Sequence, residues 1–414
     1  MKTNNYEKNI CTTFIDFFKK RKENKVEDTR FIGIELKKLR CKLNLTLKDV
    51  CEGICCQSYL SKMEHNLAGL KPSFVAELFS KLGSKGVNNI NPLLYQRIVD
   101  ALVKAYLYND DRIIDAIDKY TQGHEMAYYL DLVHLIIGVK RDEKNLCIES
   151  INNILYYLDN LNEVEIVHAS IFVSIFVYNL GKYSECRKIL EFIMQFELGY
   201  VEEMLVKRYK FYTDFYTNNI YLLNDEFNEL TNLYYKYGLI DKMVKLKKDY
   251  ILMSSITQKK SFAYTMYKDF ALGKSFSLDA YFEYISGNYN KAYKILSVNN
   301  EHDYMHYYTL ALVYDKTKNK KECMDFFNRI AKEKIEAPDD ILDTLDYLKI
   351  KYNNLDNINN IKLYLREVLL PKYENSGYYF MYEYFCNELI CNFIDEAHYK
   401  EAILYFNKKS NVSR

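Results

Sequence analysis

The sequence predicts an all-α protein in which a small N-terminal domain of short helices precedes a long array of helix pairs. The 414 residues include only 13 Gly and 4 Pro, so residues for the tight turns that β-rich and α/β folds need are scarce. Hydrophobic residues make up 49% of the chain, which excludes a disordered protein. Pairs of helices separated by short turns recur from residue 91 to the end and predict an extended repeat domain.

Charge and cysteine usage predict where the protein works and what it binds. Residues 31–90 carry nine basic and five acidic side chains, a net charge of +4, whereas residues 91–414 carry −6. This asymmetry indicates that residues 31–90, and not the repeat domain, bind a polyanionic partner. The ten cysteines form no CxxC pair, and we expect reduced, mostly buried thiols. No apolar run suits a membrane span or a signal peptide, so we expect a cytoplasmic protein with no membrane partner.

Residues 1–30 are predicted to be an N-terminal extension. Apolar side chains at helical spacing from Ile10 to Phe18, followed by a basic segment, predict a short amphipathic helix between residues 5 and 22. We expect it to pack on a neighbouring helix or on a second copy of the chain, because one short basic cluster binds membranes weakly.

Residues 31–90 contain the boundary signals of several short helices. Thr46 can accept a hydrogen bond from the free amides of a new helix, and Asp49 three residues later completes a capping box. Pro72 suits a first helical turn and Gly83 suits a helix end. The side chains that two short helices crossing at a steep angle would bury are Val50, Cys51, Leu60 and Met63. These signals predict a separate domain over residues 31–90.

Polar side chains on the outer side and at the start of the second short helix predict a DNA-recognition helix. A major groove admits one helix, from which Gln can pair with adenine, Lys with guanine, and Ser with several acceptors or with phosphate. The predicted recognition residues are Gln57, Ser58, Tyr59, Ser61 and Lys62. Arg40, Thr46 and Lys48 lie where phosphate contacts would fix the register on the duplex.

The segment LNLTLKDVCEGICCQSYLSKME resembles the helix-turn-helix of the Cro and lambda-repressor superfamily, especially the variant of PlcR-like regulators. The positions that carry the resemblance are Glu52, Gly53, Ile54, Cys55, Gln57, Ser58, Ser61, Met63 and Glu64. Many members have Gln where this chain has Leu47, which puts a phosphate contact from that side chain in doubt. The resemblance covers about sixty residues and implies binding of double-stranded DNA.

Residues 91–414 contain the tetratricopeptide pattern of a small residue, a Gly-x-Tyr turn and a second small residue. The clearest copies carry Ser174, Gly181, Tyr183 and Cys186, then Ala280, Gly287, Tyr289 and Ala292. Weaker copies keep Ala311 and Cys323, then Tyr399 and Ala402. The spacing of the first two predicts divergent repeats over residues 187–286, in a right-handed solenoid whose paired helices approach closest at the small residues. A helical array without true repeats is the alternative.

The whole architecture resembles the RRNPP family of peptide-sensing regulators from Gram-positive bacteria (Rap, Rgg, NprR, PlcR, PrgX), and within it the clostridial RstA-like proteins. The resemblance spans nearly the full length, although only the helix-turn-helix rests on a sharp motif. It implies a homodimer, a small secreted and reimported quorum-sensing peptide as ligand, and control of sporulation, virulence or related adaptive genes. A dimer further predicts an inverted-repeat operator, because its two recognition helices read two half-sites.

The concave side of a solenoid suits an extended peptide, and the tetratricopeptide register predicts which side chains face it. The predicted peptide-binding residues are His168, Ile175, Tyr178, Asn179, Lys274, Tyr281 and Tyr284. Asn179 is the first choice, because its amide can donate to one peptide backbone group and accept from another. Lys274 can meet a peptide carboxylate, and the tyrosines offer flat apolar walls with a polar tip.

No enzyme activity, cofactor or metal is predicted. The chain lacks the GxGxxG, GxxxxGK[ST], HExxH and GxSxG motifs. Only His302 and His306 among the histidines have i,i+4 spacing, and no third metal ligand beyond Glu301 or Asp303 is evident nearby. Two functions stay open: a peptide-controlled transcriptional regulator, and a regulator whose repeats sequester a response regulator or another protein.

Overall fold

A computed structural model describes residues 30–65, 67–69, 71–84, 92–122, 129–158, 161–257, 260–270, 275–298, 303–317, 320–330, 337–353 and 358–412. These ranges are helical and contain no strand, so the predicted all-α class is confirmed. The amphipathic helix predicted for residues 5–22 lies outside the described residues. None of the helices in these ranges is both long and apolar enough to span a bilayer. The chain divides into two compact units, unit 1 ending at Thr213 and unit 2 beginning at Asp214.

The first four described helices form a small module in unit 1. They are α1 (Arg30–Lys42), α2 (Leu47–Cys51), α3 (Gln57–Glu64) and α4 (Pro72–Lys81). The predicted capping box is present: the Thr46 side chain accepts from the Asp49 amide, and the Asp49 side chain accepts from the Thr46 amide. Pro72 starts α4, and Gly83 follows its end with a φ of +71°. Every predicted boundary signal in this region is confirmed.

One apolar core holds the module together. Leu60 and Met63 of α3 are fully buried and pack with side chains of the other three helices. The core residues are Leu36, Val50, Cys51, Leu60, Met63, Leu78, Phe79 and Leu82. The four residues predicted to be buried between the two short helices are therefore confirmed. Full burial of a large apolar side chain contributes about 1.5–3 kcal/mol, so this core is a firm scaffold for the outer face of α3.

The rest of unit 1 consists of helix pairs joined by short turns. The pairs are α5 (Pro92–Tyr108) with α6 (Asp111–Gln122), α7 (Tyr129–Arg141) with α8 (Lys144–Tyr156), and α9 (Glu163–Asn179) with α10 (Tyr183–Ile193). Helix α11 (Tyr200–Tyr216) follows. The first helices of successive pairs contact one another, α5 with α7 and α7 with α9. Such stacking of neighbours is how tetratricopeptide-like repeats bury their apolar faces.

Unit 2 continues the same arrangement. Its helices are α12 (Leu223–Lys236), α13 (Ile240–Thr257), α14 (Lys260–Asp269), α15 (Phe276–Ile285), α16 (Tyr289–Val298), α17 (Tyr304–Thr317), α18 (Lys320–Ile330), α19 (Asp339–Asn353), α20 (Ile358–Tyr364), a π-helical turn (Leu365–Leu369), α21 (Leu370–Ser376), α22 (Tyr379–Asp395) and α23 (Tyr399–Val412). Helix α17 contacts both α15 and α19. First helices therefore stack on one another here as well.

The residues of the repeat pattern occupy the predicted positions. Gly181 and Gly287 lie between paired helices with φ of +71° and +83°, a left-handed conformation that glycine adopts without steric cost. The small residues of the pattern are buried: Ser174, Cys186, Ala280, Ala292, Ala311, Cys323 and Ala402. Ala280 and Ala292 belong to one core cluster with Val313, so a larger side chain would force the helices apart.

Candidate functional site

The outer face of α3 is polar and open to solvent. Gln57, Ser58 and Lys62 are exposed, while Leu60 and Met63 on the opposite side are buried. Cys56 precedes the helix and makes no side-chain capping bond. The amides of the first turn therefore have no side-chain acceptor at this cap, and helix N-termini of this kind attract phosphate. This face presents side chains that can read bases together with an end that can hold a phosphate.

Two other predicted recognition residues are partly engaged inside the module. The Tyr59 hydroxyl donates to the Gly69 carbonyl at 2.7 Å, and the ring packs edge-on against Phe74 with centroids 5.9 Å apart. Ser61 is half-buried, and its carbonyl oxygen lies 2.7 Å from Nδ1 of His65. The Tyr59 hydroxyl thus holds the loop after α3, and this hydrogen bond to Gly69 competes with any contact to a base.

Arg40 has a structural role in place of the predicted phosphate contact. Its Nε and Nη2 donate to the two carboxylate oxygens of Glu64 at 2.6 and 2.7 Å, and its Nη1 donates to the Leu45 carbonyl at 3.0 Å. The Glu64 carboxylate is buried and the Arg40 side chain nearly so. The hydrogen bonds that Arg40 donates to Glu64 hold the pKa of Arg40 above its ordinary value. This bidentate pair joins α1 to the end of α3. The Arg40 guanidinium is therefore engaged inside the module.

Thr46 and Lys48 lie at the start of α2. The Thr46 hydroxyl donates to an Asp49 carboxylate oxygen at 2.7 Å, so this hydroxyl is engaged in the cap of α2. That hydrogen bond and one from the Thr46 amide lower the pKa of Asp49. Lys48 is exposed, so its ammonium is open to solvent. Lys81, which sequence reasoning missed, donates to the Glu52 carbonyl at 2.7 Å and secures the end of α2.

The predicted peptide contacts on α9 have different environments. His168 and Ile175 are fully buried, and Nε2 of His168 lies 2.8 Å from a Glu202 carboxylate oxygen. Helix α9 is flanked by α7 and α10, and residues 165–177 are buried on every side. A peptide has no direct access to His168 or Ile175, because neighbouring helices cover the positions that the repeat register turns inward.

The end of α9 is accessible. Tyr178 is half-buried and Asn179 is exposed. The Tyr178 ring meets the rings of Tyr183 and Tyr209 edge-on, with centroids 5.3 and 5.1 Å away. Asn179 therefore presents an amide beside an aromatic cluster, the combination that an extended peptide backbone can use.

The predicted contacts on α15 also separate into buried and accessible ones. Tyr281 is buried, and its hydroxyl lies 3.1 Å from the Ser255 hydroxyl. Tyr284 is half-buried; desolvation, with the nearby Asp315 and Glu388 carboxylates, raises its pKa. Lys274 lies outside the described residues.

The Asp315 and Glu388 carboxylates that act on Tyr284 belong to a charged group of unit 2. The Lys351 ammonium of α19 lies 2.8 Å from the Asp315 carboxylate of α17 and 3.6 Å from the Glu388 carboxylate of α22. The Tyr347 hydroxyl donates to Glu388 at 2.5 Å. First helices of three successive pairs thus supply one cation, two anions and phenol groups, which can recognise polar groups of a peptide.

The histidine pair considered for a metal falls partly outside the described chain. His302 is outside it, and His306 is buried with its amide donating to Asp303 at 2.8 Å. Within the part of the chain that the structure describes, no group of three or more His, Cys, Asp or Glu side chains is placed to hold a metal ion. The nine cysteines in that part are free thiols, five of them buried.

Solved structures share the fold of this chain. The apo form of the quorum sensor NprR from B. thuringiensis aligns with a TM-score of 0.52 and 14% identity over 77% of this chain and 98% of NprR. NprR in complex with its cognate peptide NprX aligns at 0.51 and 13% identity, over 75% and 100%. A Rap protein complexed with competence and sporulation factor aligns at 0.57 and 12% identity, over 78% and 97%. The helical-repeat fold that the sequence predicts is confirmed, because NprR and Rap share it.

No family model matches the sequence. No curated protein matches it either. At the identities of the solved structures the likeness concerns the fold, so the function has to be argued from the sites.

Proposed function

We propose that this chain is a sequence-specific DNA-binding regulator of transcription, controlled by a small signalling peptide that binds its helical repeats. The observation that carries the proposal is the exposed face of α3, where Gln57, Ser58 and Lys62 project from a helix that is otherwise buried in the module core. Behind this module, the chain has the fold of NprR and Rap, both solved with peptide or factor bound. A chain that binds DNA through one domain and a peptide through another can change its affinity for DNA when the peptide binds.

Helix α3 is proposed to enter the major groove. Gln57 is suited to adenine and Lys62 to guanine, while Ser58 and Lys48 contact phosphate and fix the register. One recognition helix reads too few base pairs for genomic specificity, so two copies of the chain bind an inverted repeat. The regulated genes are proposed to serve sporulation, virulence or related adaptation, as the family resemblance implies.

Selection of DNA by the full-length chain tests this function. We expect the wild-type protein to recover an inverted repeat from a pool of random duplexes. Gln57→Ala or Lys62→Ala should each weaken binding to that duplex by about 1–3 kcal/mol, because each removes a base contact. The matched control is the exposed pair on α6, Lys119→Ala with Gln122→Ala, which should bind like the wild type. Wild-type affinity in the Gln57→Ala/Lys62→Ala double variant would refute the assignment.

The peptide is proposed to bind accessible predicted residues of the repeats. The candidates are Tyr178 and Asn179 within unit 1 and Tyr284 within unit 2, and each is tested separately. Asn179→Ala should weaken binding of the signalling peptide between about fivefold and a hundredfold, since loss of one partner of a polar contact costs about 1–3 kcal/mol. Asn375→Ala, at an exposed asparagine of α21, is the control. Calorimetry with the peptide purified from the medium of the producing cells measures both. Unchanged affinity in both Asn179→Ala and Tyr284→Ala would refute the site.

The second candidate function is sequestration of a response regulator or another protein by the repeats. The stacked helix pairs favour it, because arrays of this kind offer extended surfaces to a protein partner. Combined replacement of Gln57, Ser58 and Lys62 by Ala separates the two functions. Under the proposed function it abolishes transcriptional effects in cells, whereas sequestration through the repeats would persist.

A further inference from the structure

A buried ion pair joins the α1–α4 module to the first repeats of unit 1. The Lys38 ammonium on α1 lies 2.5 Å from a carboxylate oxygen of Asp131 on α7, and both side chains are less than one-tenth exposed. The two residues are 93 positions apart in the chain. Ile34, one helical turn before Lys38 and on the same face of α1, is also buried.

The second helix pair of unit 1, α7 with α8, supplies further hydrogen bonds to the Asp131 carboxylate. Asn153 of α8 donates to one carboxylate oxygen at 2.9 Å, and the Tyr157 hydroxyl donates to the other at 3.2 Å. Helix α1 contacts α8 directly. The Asp131 carboxylate therefore accepts three hydrogen bonds: two from side chains of the repeats and one from Lys38 of the α1–α4 module. Removing any one of them leaves a buried charge with fewer partners.

The buried side chain of Glu35 makes the contact between α1 and the repeats sensitive to loss of the Lys38–Asp131 ion pair. Its side chain is buried, and its Oε2 atom has no hydrogen-bond partner. Burial raises the pKa of Glu35, Lys38 and Lys42 oppose that shift, and Asp131 adds to it. Lys38 is the cation that pairs directly with the buried Asp131 carboxylate, with the Glu35 carboxyl one helical turn away or less on the same helix, so the alignment of α1 on the repeats depends on it.

The same helix holds the proposed recognition helix from its other side. Arg40, two residues after Lys38 and so on a different face of α1, binds Glu64 at the end of α3 with two hydrogen bonds. Two ion pairs thus join α1 to its neighbours: Lys38 binds Asp131 of α7, and Arg40 binds Glu64 of α3. Sequence reasoning found neither contact, because each joins residues far apart in the chain.

We propose that Lys38 and Asp131 are positioning residues that set the orientation of α3 relative to the repeats, and thereby the half-site spacing of the operator. The proposal rests on the proposed function, in which two copies read an inverted repeat. When the first half-site is bound, a fixed orientation presents the second α3 at a high effective concentration. A loosened joint lowers that concentration but leaves the contacts within each half-site unchanged.

The test uses the inverted-repeat duplex that the full-length wild-type chain recovers from a random pool. Three probes are compared by titration: that duplex, the duplex with one half-site scrambled, and the duplex with one base pair inserted between half-sites. The insertion turns one half-site by about 35°, so the wild type should lose about tenfold or more in affinity. Lys38→Met and Asp131→Asn should bind the single half-site as the wild type does and should lose less than about threefold on insertion.

The two variants change the charge in opposite directions. Lys38→Met removes a positive charge and Asp131→Asn removes a negative one, so an effect on general attraction to DNA would have opposite signs in the two. Lys104→Met, an exposed lysine of α5, controls for loss of a cation. Wild-type sensitivity to the insertion in both joint variants, or an equal loss on all three probes, would overturn the positioning role. Failure of the wild type to recover any duplex would overturn the proposed function itself.

Discussion

Replacing Glu64 by Ala is expected to destabilise the module of residues 30–84 by about 3 kcal/mol or more, the range for breaking a buried ion pair by removing one partner. The Glu64 carboxylate is 1% exposed and accepts both hydrogen bonds of the Arg40 fork. Without it, a largely buried guanidinium keeps the Leu45 carbonyl as its described partner. The loss of the ion pair weakens the contact between α1 and α3, which the apolar core and the contact of Lys37 with His65, at 3.4 Å, then have to hold.

Hydrogen exchange of the full-length chain measures this effect locally. Amides of residues 30–84 should exchange faster in Glu64→Ala, while amides of unit 2 should keep their wild-type rates. The control is Glu77→Ala on the exposed side of α4, where a surface substitution changes stability by about 0.5 kcal/mol or less. Equal protection of the module in the two variants would show that the Arg40–Glu64 pair contributes nothing. Because Glu64→Ala acts through folding, its loss of DNA binding would not identify a DNA contact.

Local signals explain how much of the module could be predicted. The capping box at Thr46, the proline at the start of α4 and the alternation of buried and exposed residues in α3 each depend on residues within one or two helical turns. The buried small residues of the repeats were predictable for the same reason, because Gly181 and Gly287 mark the turns that fix their register. Elements of this kind can be read from a single sequence.

Long-range packing explains what could not be predicted. Arg40 looked like a phosphate contact because its partner Glu64 is 24 residues away. The register placed His168 and Ile175 on the inner side of α9, but register alone does not say that neighbouring helices cover that side. The sequence of α9 did contain a signal, because its apolar residues surround the helix, and a helix that is apolar all round is buried.

In unit 2, Lys351→Met is expected to cost up to about 3 kcal/mol of folding free energy at neutral pH, because it removes the cation that the Asp315 and Glu388 carboxylates share. Asp315 keeps the more exposed Lys316 ammonium at 3.3 Å and the Tyr352 hydroxyl at 3.0 Å. Asp315 is nearly buried and Glu388 about one-quarter exposed. Burial works to raise the pKa of Asp315, but the charge and hydrogen bond of Lys351, together with the charge of Lys316 and the Tyr352 hydroxyl, outweigh it, so the pKa lies below the ordinary value. Burial works to lower the pKa of Lys351, but Glu388 and Asp315 outweigh it, so this pKa lies above the ordinary value.

The pH dependence of the Lys351→Met deficit follows from the direction of these shifts. A lowered carboxylate pKa contributes stability that is present above the unfolded pKa, about 3.9 for Asp, and is lost as pH falls through the folded value. The raised lysine pKa contributes stability up to about pH 10. The deficit of Lys351→Met should therefore be full at pH 7 and should shrink below about pH 4 as Asp315 takes up a proton. Thermal unfolding across this pH range, followed by hydrogen exchange in unit 2, measures it.

A second lysine of unit 2 supplies the matched control for this prediction. Lys372 lies 2.7 Å from the Asp343 carboxylate, but its side chain is 42% exposed, and exposed ion pairs contribute about 0–1 kcal/mol. Lys372→Met should therefore cost far less than Lys351→Met at pH 7, and its cost should be lowered by salt. Equal costs for the two variants would mean that burial of the Asp315–Lys351–Glu388 group does not strengthen it. A larger cost for Lys351→Met that vanishes in acid would establish that this charged group holds α17, α19 and α22 together beside Tyr284.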